Sequence, residues 1–335
     1  MNRITELSRP LSFISRAAVG GFEERQGPLG ESFDFCDMTD TFGKDTFELS
    51  EGELGRLALN TALTKANLSH RELELIVAGD LQNQCVGTSL GLSAFGTPFI
   101  GVYGACSTCT EALLVLSSMM NANRNMRYGA AVTTSHNSAA ERQFRTPIEY
   151  GGQRSPSAQW TSTAGGAFIL GQNSNSPRIT KIMAGKIVNG ETADGSNMGA
   201  AMSFAAADSI LTYFHESGER LTEFDAIVTG DLGRVGSDIL EDILRSELPG
   251  AERLHLDCGL MLYDMKKTDA HSGASGCGTS ASVLAAHFLP LLEDGRLRRI
   301  LFLSTGALMS PSSLLQKQNI FGIAPLIKIE APNIS

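Results

Sequence analysis

A short apolar motif that ends in Gly-Asp-Leu occurs twice in this chain. Residues 76–81 read IVAGDL and residues 227–232 read IVTGDL, so the two copies start 151 residues apart. Each copy follows a charged segment and precedes a Gly/Ser-rich stretch that opens an apolar helical pattern, and a second apolar run follows each helix. Because strand, glycine-led helix and strand recur in the same order, the sequence predicts an internal duplication of one α/β unit.

The duplication defines the predicted domains, which are an N-terminal half at residues 1–175 and a C-terminal half at 176–335. The Asn/Ser-rich residues 172–177 are expected to connect them. Apolar runs such as Leu73–Ala78 are short and nearly continuous, which is typical of strands buried on both faces. Strands that alternate with helices, such as the one predicted at Leu49–Ala66 with Ser50 as its N-cap, indicate mostly parallel sheets between helix layers.

Composition excludes several classes of function. The formal net charge is −9 and no cluster of five or more Lys/Arg occurs, so nucleic-acid binding is not expected. The chain has neither an apolar run of about 18 residues nor the apolar core of a signal peptide, and we expect a cytoplasmic topology. Six cysteines without a second pair at zinc-site spacing favour neither a disulfide framework nor a structural zinc site.

One long segment, 135–163, departs from the alternating pattern. It is predicted as a polar loop, and it contains three arginines and three aromatic residues. Loops of this length inside a compact domain are usually functional or disordered. We expect an ordered loop that contributes to a binding site, the alternative being a surface excursion without a ligand.

The strongest chemical signal is the segment 104–113, which contains Cys106. Small residues precede this cysteine, and the apolar helical stretch Ala112–Met120 follows it. A thiol at a helix N-terminus faces unpaired N–H groups and the positive end of the helix dipole, which lower the pKa of the thiol. The same N–H groups can bind an anion. Cys106 is therefore predicted to be a nucleophile or part of an anion site, with a buried structural cysteine as the alternative. Among six histidines, His136 and His271 are the candidates to approach it as a base.

Two α/β halves with a Gly-Ala-Cys-Ser turn before the first central helix resemble the thiolase and ketoacyl-synthase superfamily. In that superfamily the corresponding cysteine is acylated by thioester substrates. More closely, the chain resembles the stage V sporulation protein AD family of spore-forming bacteria. The segments that carry this resemblance are 26–30, 78–84, 103–112, 140–145, 149–153, 158–161 and 273–278.

The resemblance implies a thiolase-like duplicated fold, layered as an αβαβα sandwich. It also implies a homodimer paired across the strand before the Cys106 helix, where 97–103 reads as an edge strand. The implied function is binding of dipicolinic acid and support of its uptake into the developing spore. The implied partners are membrane-embedded proteins of the same sporulation operon, with this chain peripheral to the inner membrane of the spore. No cofactor is expected, except Ca²⁺ carried with the ligand.

The chain departs from the superfamily's enzymes at two positions. Similar ketoacyl synthases carry His-Gln-Ala-Asn where this chain has 230–233, Gly-Asp-Leu-Gly, and a Gly-Asn turn where it has Gly276-Cys277. A cysteine without its base and oxyanion donors loses the groups that lower the barrier. We therefore expect a binding pocket rather than an enzyme. The alternatives are an acyl-transferring enzyme with Cys106 as nucleophile, and a scaffold whose pocket is vestigial.

Dipicolinate is a flat aromatic dicarboxylate, so its pocket needs cations and aromatic faces. Arginines such as Arg154 bind carboxylates bidentately, and aromatic rings can stack on the ligand. Asp80 ends the first repeated strand and either lies beside a bridging cation or, like Asp231, caps the following turn. The expected ligand-binding residues are Asp80, Cys106, His136, Arg142, Arg145, Glu149, Tyr150, Trp160 and His271.

Overall fold

The computed structural model describes residues 2–144 and 154–332. Its strands are β1 (Ile4–Gly20), β2 (Phe35–Cys36), β3 (Leu75–Gly79), β4 (Phe99–Gly101), β5 (Gly129–Ser135), β6 (Trp160–Thr161), β7 (Ala164–Gly171), β8 (Arg178–Met183), β9 (Val188–Asn189), β10 (Ala226–Thr229), β11 (His255–Asp257), β12 (Ala274–Ser275), β13 (Arg299–Leu303), β14 (Gly306–Leu308), β15 (Phe321–Ile323) and β16 (Leu326–Glu330). Its helices are α1 (Phe22–Gln26), α2 (Phe47–Ala66), α3 (Val86–Leu92), α4 (Thr108–Ala122), α5 (Asn137–Phe144), α6 (Met198–Ser217), α7 (Gly233–Glu247), α8 (Cys258–Leu262), α9 (Cys277–Val283), α10 (Leu289–Glu293) and α11 (Pro311–Leu315).

The two halves of the chain have the same strand order. It is β4-β3-β5-β7-β1 in the first half and β11-β10-β13-β16-β8 in the second. In both halves the fourth strand of this order, β7 or β16, is antiparallel to both of its neighbours, and the first three strands are parallel. The repeated motifs occupy equivalent strands, β3 and β10. This equivalence confirms the predicted duplication of the fold, whereas a boundary at residue 175 stays a prediction.

Strand β1 joins the two halves into one hydrogen-bonded sheet. Its residues 12–20 pair with β7, and its residues 4–12 pair with β8. A strand of 17 residues is long enough to serve both neighbours in succession. The halves are therefore joined by backbone hydrogen bonds as well as by side-chain packing.

Helices α4 and α9 form the layer between the two halves of the sheet. The fully buried side chains of Leu113 and Leu116 on α4 belong to one core with Val77 of the first half and Phe302 of the second. On the outer faces, α2 packs on the first half and α6 on the second, each over a separate apolar core. The layers follow the αβαβα order that the resemblance implied.

Two local predictions were wrong. Helix α2 begins at Phe47, and its N-cap is Thr46, whose hydroxyl accepts the N–H of Leu49 at 3.3 Å. Ser50 lies inside the helix and donates its hydroxyl to the carbonyl of Thr46 at 2.8 Å. The first part of the predicted polar loop is helix α5, because Ala139 and Ala140 bury one face of this otherwise polar segment.

Candidate functional site

A sharp turn places Cys106 directly ahead of helix α4. Ala105 has a φ of +52°, in the left-handed region that residues with a side chain seldom adopt. The hydroxyl of Thr108 donates to the carbonyl of Ala105 at 2.6 Å and accepts the N–H of Gly104 at 3.1 Å. Because the backbone of the turn is held on both sides, the position of the thiol is fixed by the fold.

The second half of the chain supplies the wall that faces Cys106. The hydroxyl oxygen of Ser275 is 4.0 Å from the Cys106 sulfur, and the carboxyl of Asp231 is within hydrogen-bonding reach of the thiol. Asp231 is held by the N–H of Gly276 at 2.8 Å and by the hydroxyl of Thr305 at 2.9 Å. The candidate site therefore lies between the two repeats and contains residues of both.

The thiol of Cys106 is protonated at neutral pH. Burial raises its pKa well above the usual value, and the negative charge of Asp231 raises it further. Burial also raises the pKa of Asp231 to about 7, against the hydrogen bonds from Cys106 and Gly276. The expectation that the helix N-terminus lowers the pKa of Cys106 is wrong, because loss of hydration outweighs a dipole effect of about 1 kcal/mol.

The two aspartates of the repeated motif have different partners. Asp80 accepts two backbone N–H groups of the segment that follows β3, at 2.8 and 2.6 Å. In the second half this role belongs to Asp257, which accepts two backbone N–H groups at the start of α7, at 2.9 and 3.0 Å. The capping alternative therefore describes Asp80 but not Asp231, whose carboxyl faces Cys106 instead, and a ligand-binding role of Asp80 stays a prediction.

Neither of the predicted histidines contacts the thiol. The Nε2 atom of His136 lies 2.8 Å from the carbonyl oxygen of Asp40, and burial lowers the pKa of this histidine. His271 is exposed, and its Nε2 atom lies 2.7 Å from a carboxylate oxygen of Asp269. Within residues 2–144 and 154–332, the hydrogen-bond partners of Cys106 include no histidine.

The positions that correspond to the enzymes' histidine and asparagine are Gly230 and Cys277 in this chain, and neither residue can act as a base or an oxyanion donor in the same way. A Cβ atom at Gly230 would lie 2.9 Å from the Cα of Ser304 and 3.0 Å from the backbone nitrogen of Thr305, so the site has no room for a side chain. The thiol of Cys277 donates to the carbonyl of Thr134 at 3.0 Å. The fold leaves no space for a base at residue 230.

The other predicted binding residues that the structure describes contact neighbours other than Cys106. Arg142 pairs with Glu48 on α2. The guanidinium of Arg154 lies 5.0 Å from the ring centroid of Trp160, and β6, which contains Trp160, pairs with β12 beside Ser275. The predicted residues that fall outside the described ranges are Arg145, Glu149 and Tyr150.

Glu51, a further buried acid near the site, was not identified from the sequence. Glu51 on α2 accepts the side-chain amide of Gln82 at 2.5 Å, and burial together with the neighbouring Asp80 raises its pKa well above the usual value. Nothing in the helical pattern of α2 distinguishes this glutamate from the exposed ones. By contrast, the repeated motif did mark Asp231, and only its contact with Cys106 was not foreseen.

The chain is similar over almost its whole length to one family of proteins. The family described as Stage V sporulation protein AD matches residues 2–330. Stage V sporulation protein AD of Bacillus subtilis (strain 168) is 38% identical over 315 residues, which cover 94% of this chain and 93% of that protein.

Solved structures with the same fold are much more distant in sequence. Xanthomonas campestris OleA with bound cerulenin aligns with a TM-score of 0.60 at 14% identity, covering 96% of this chain and 100% of that chain. The 3-oxoacyl-[acyl-carrier-protein] synthase III of Aquifex aeolicus VF5 aligns with a TM-score of 0.58 at 13% identity, covering 95% and 99%. At these identities the alignments show a shared thiolase-like fold.

Proposed function

The chain belongs to the stage V sporulation protein AD family, and from this premise we propose that it binds dipicolinic acid beside Cys106 and supports its uptake into the developing spore. The observation that carries the proposal is the Cys106–Asp231 contact. A protonated thiol against a buried acid, with no histidine among its described partners, suits binding better than nucleophilic catalysis.

The groups around Cys106 can serve a carboxylate ligand as donors. The hydroxyl of Ser275 and the thiol are both available at the boundary between the repeats. Asp231 repels a dianion when it is ionised, but as a neutral acid it donates a hydrogen bond. Because its pKa is about 7, the ligand should bind more tightly at pH 6 than at pH 8.

We propose that Ca²⁺ arrives with the ligand as its chelate. Over the described ranges, no group of three or more His, Cys, Asp or Glu side chains is arranged to hold a metal ion. An acid such as Asp231 beside the ligand would then meet a complex whose negative charge is partly neutralised. This proposal predicts tighter binding with Ca²⁺ than without it.

The test is a calorimetric titration of the full chain with dipicolinic acid, with and without Ca²⁺. Alkylation of Cys106, followed by peptide mass spectrometry, locates the ligand without any substitution. We expect saturable heat at one dominant site and slower alkylation of Cys106 over the same concentration range. Heat without protection of Cys106 would move the site elsewhere, and no heat at all would favour the scaffold alternative.

An acyl-transferring enzyme is the second candidate, favoured by the shared fold with a 3-oxoacyl-[acyl-carrier-protein] synthase III and by the cysteine ahead of α4. It predicts that an acyl-CoA adds the mass of its acyl group to Cys106. The dipicolinate proposal predicts an unmodified thiol after the same incubation.

We also propose that the chain forms a homodimer along β4. Among the described strands β4 is the last one in the sheet order, so its outer backbone groups are not paired with another of these strands. Large apolar side chains are exposed on β4, directly after it, and on helices α3 and α4, which pack against its neighbour β3, namely those of Val86, Leu90, Phe99, Tyr103 and Met119. A second copy that pairs through the same edge would cover these side chains on both chains at once.

Uptake into the spore requires a route across a membrane. In the part of the chain that the structure describes, no helix has the length and apolar character needed to cross a bilayer. We propose that membrane-embedded proteins of the same operon form the passage and that this chain binds peripherally at the inner membrane of the spore. Co-purification of those proteins with this chain from sporulating cells tests the proposal.

A further inference from the structure

A groove of about 490 Å³ opens on the surface near the candidate site. Its lining includes Arg234 at the start of α7, Lys266 and His271, together with the apolar faces of Pro28 and Met265. The volume lies within the range of small-molecule sites. We call it the outer groove, and of its residues only His271 belongs to the predicted binding set.

The outer groove has more cations than uncompensated anions. Arg234 and Lys266 are exposed, and neither is within ion-pair distance of an acidic side chain among the described residues, although the guanidinium of Arg234 donates to the sulfur of Met265 at 4.0 Å. The acidic residue of the lining, Asp264, is 3.3 Å from the ammonium of Lys267 and accepts the backbone N–H of Lys266 at 3.1 Å. The positive charges of Arg234 and Lys266 therefore exceed the negative charge of Asp264 in this concave lining, which favours anions.

The walls of the outer groove are held by the fold beneath them. The hydroxyl of Tyr263, which also lines the groove, donates to the fully buried Glu24. The backbone N–H of Arg234 donates to the carbonyl of Ser272 at 2.8 Å. His271 has a φ of +29°, an uncommon conformation for a residue with a side chain. The backbone of Arg234 is therefore held by the fold, whereas Lys266 projects from an exposed turn.

The outer groove is close along the chain to Ser275, which faces Cys106. His271 is four residues before Ser275, whose hydroxyl oxygen is 4.0 Å from the Cys106 sulfur. Four residues in extended conformation span at most about 14 Å. A residue of the groove lining therefore lies within about 14 Å of Ser275 along the backbone.

We propose that the outer groove is a second binding site, which holds a small flat dicarboxylate before it reaches Cys106. Arg234 binds one carboxylate bidentately, Lys266 binds the other, and Pro28 and Met265 contact the flat face between them. The assignment of the ligand as a flat dicarboxylate rests on the function proposed above, whereas the groove and its charges are observed independently of that function.

The experiment compares three forms of the full chain by titration with dipicolinate and, separately, with inorganic phosphate. They are the wild type, the double variant Arg234→Ala/Lys266→Ala, and a control, Arg71→Ala/Arg298→Ala, which removes the same charge from exposed residues elsewhere. Protection of Cys106 from alkylation reports the inner site in each form. Circular dichroism establishes that all three are folded.

We expect the wild type and the control to bind two dicarboxylates per chain, and the groove variant to bind the outer one about tenfold more weakly. Phosphate should bind the outer groove more weakly than dipicolinate, because it has no flat face. Unchanged binding in the groove variant would overturn the outer site, and equal affinity for phosphate would overturn the dicarboxylate assignment. Groove-dependent binding without protection of Cys106 in any form would overturn the inner site alone.

Discussion

At the scale of single residues, the reactivity of Cys106 depends on its contact with Asp231. The negative charge of Asp231 raises the pKa of the thiol, in addition to the effect of burial. We predict that Cys106 reacts with iodoacetamide at pH 7.5 at least about tenfold more slowly than a free cysteine. Asp231→Asn removes the charge and should accelerate this reaction, as measured by peptide mass spectrometry over time.

The repeat provides the control for this prediction. Asp80→Asn makes the same change at the equivalent motif position, and the charge of Asp80 is not among the causes that shift the pKa of Cys106. We expect it to leave the alkylation rate of Cys106 unchanged. Rapid alkylation of the wild-type thiol at pH 7 would contradict its protonated state and favour the enzyme alternative.

The buried Glu24 makes the stability of the protein depend on pH. Burial raises its pKa from 4.5 to about 7, although Tyr263 and two backbone N–H groups donate to its carboxylate. Between these values the native state holds a proton that the unfolded state has released. Its stabilising contribution is complete below about pH 4.3 and is lost as pH rises through 7, a change of roughly 3 kcal/mol.

Urea unfolding of Glu24→Gln across pH 4 to 8 measures this contribution. The variant should lose the part of the pH dependence that Glu24 causes, so its free energy of unfolding should fall less than that of the wild type over this range. Glu31→Gln is the control, since 89% of the Glu31 side chain is exposed. Parallel pH profiles for the wild type and Glu24→Gln would show that folding does not raise the pKa of Glu24.

Individual site residues were predictable only where a local signal marks them. Cys106 follows a Gly-Ala turn and precedes an apolar helix, and Asp80 ends a repeated strand. The contact of Asp231 with Cys106 joins residues 125 positions apart, so no local pattern could reveal it. The sequence could not show that His136 does not approach Cys106 as a base. Its partner is the backbone carbonyl of Asp40, and any residue could supply such a carbonyl.

At the scale of elements, helix α4 stabilises both halves because it lies between them. Leu113 is fully buried in the core that the two halves share. We predict that Leu113→Ala lowers the free energy of unfolding by about 3 kcal/mol, through lost burial and the cavity that remains. Ser118→Ala on the exposed side of the same helix should change it by less than about 0.5 kcal/mol in urea unfolding. Equal effects of the two substitutions would contradict the placement of α4 in the middle layer.

The type of each major element could be predicted, but its ends could not. Continuous apolar runs identify β3, β5, β10 and β13, because strands in the middle of a sheet bury both faces. The start of α2 was misplaced because Thr46 and Ser50 are both good N-cap residues, and sequence alone does not show which hydroxyl meets a free N–H. Helix α5 was missed because its apolar face consists of two alanines.

At the scale of the whole molecule, the duplication could be predicted and the composition of the site could not. A repeated motif fixes two equivalent strands, and short right-handed connections then leave few arrangements for the rest. The site, however, forms where the repeats meet, and Cys106 faces Ser275, which is 169 positions away. Such contacts depend on how the middle layer packs, which no single segment encodes.

The edge strand β4 gives the prediction that belongs to the molecule as an assembly. The side chain of Phe99 is 41% exposed on this strand, among other exposed apolar residues of α3 and α4. A homodimer paired along β4 would bury this side chain against its symmetric copy. Phe99→Glu would then place two like charges in the dimer interface, and we predict that it converts the dimer to a monomer in sedimentation at micromolar concentration.

The control for this prediction introduces the same charge at another exposed apolar position. Leu315 on α11 is 85% exposed and lies in the second half of the chain, apart from the edge at β4. Leu315→Glu should sediment as the wild type does, because its side chain is not needed to cover β4. A monomeric wild type would contradict the dimer, and a dimeric Phe99→Glu variant would place the interface on another face. In either case the exposed residues around β4 would need a different partner, since an uncovered apolar edge favours association.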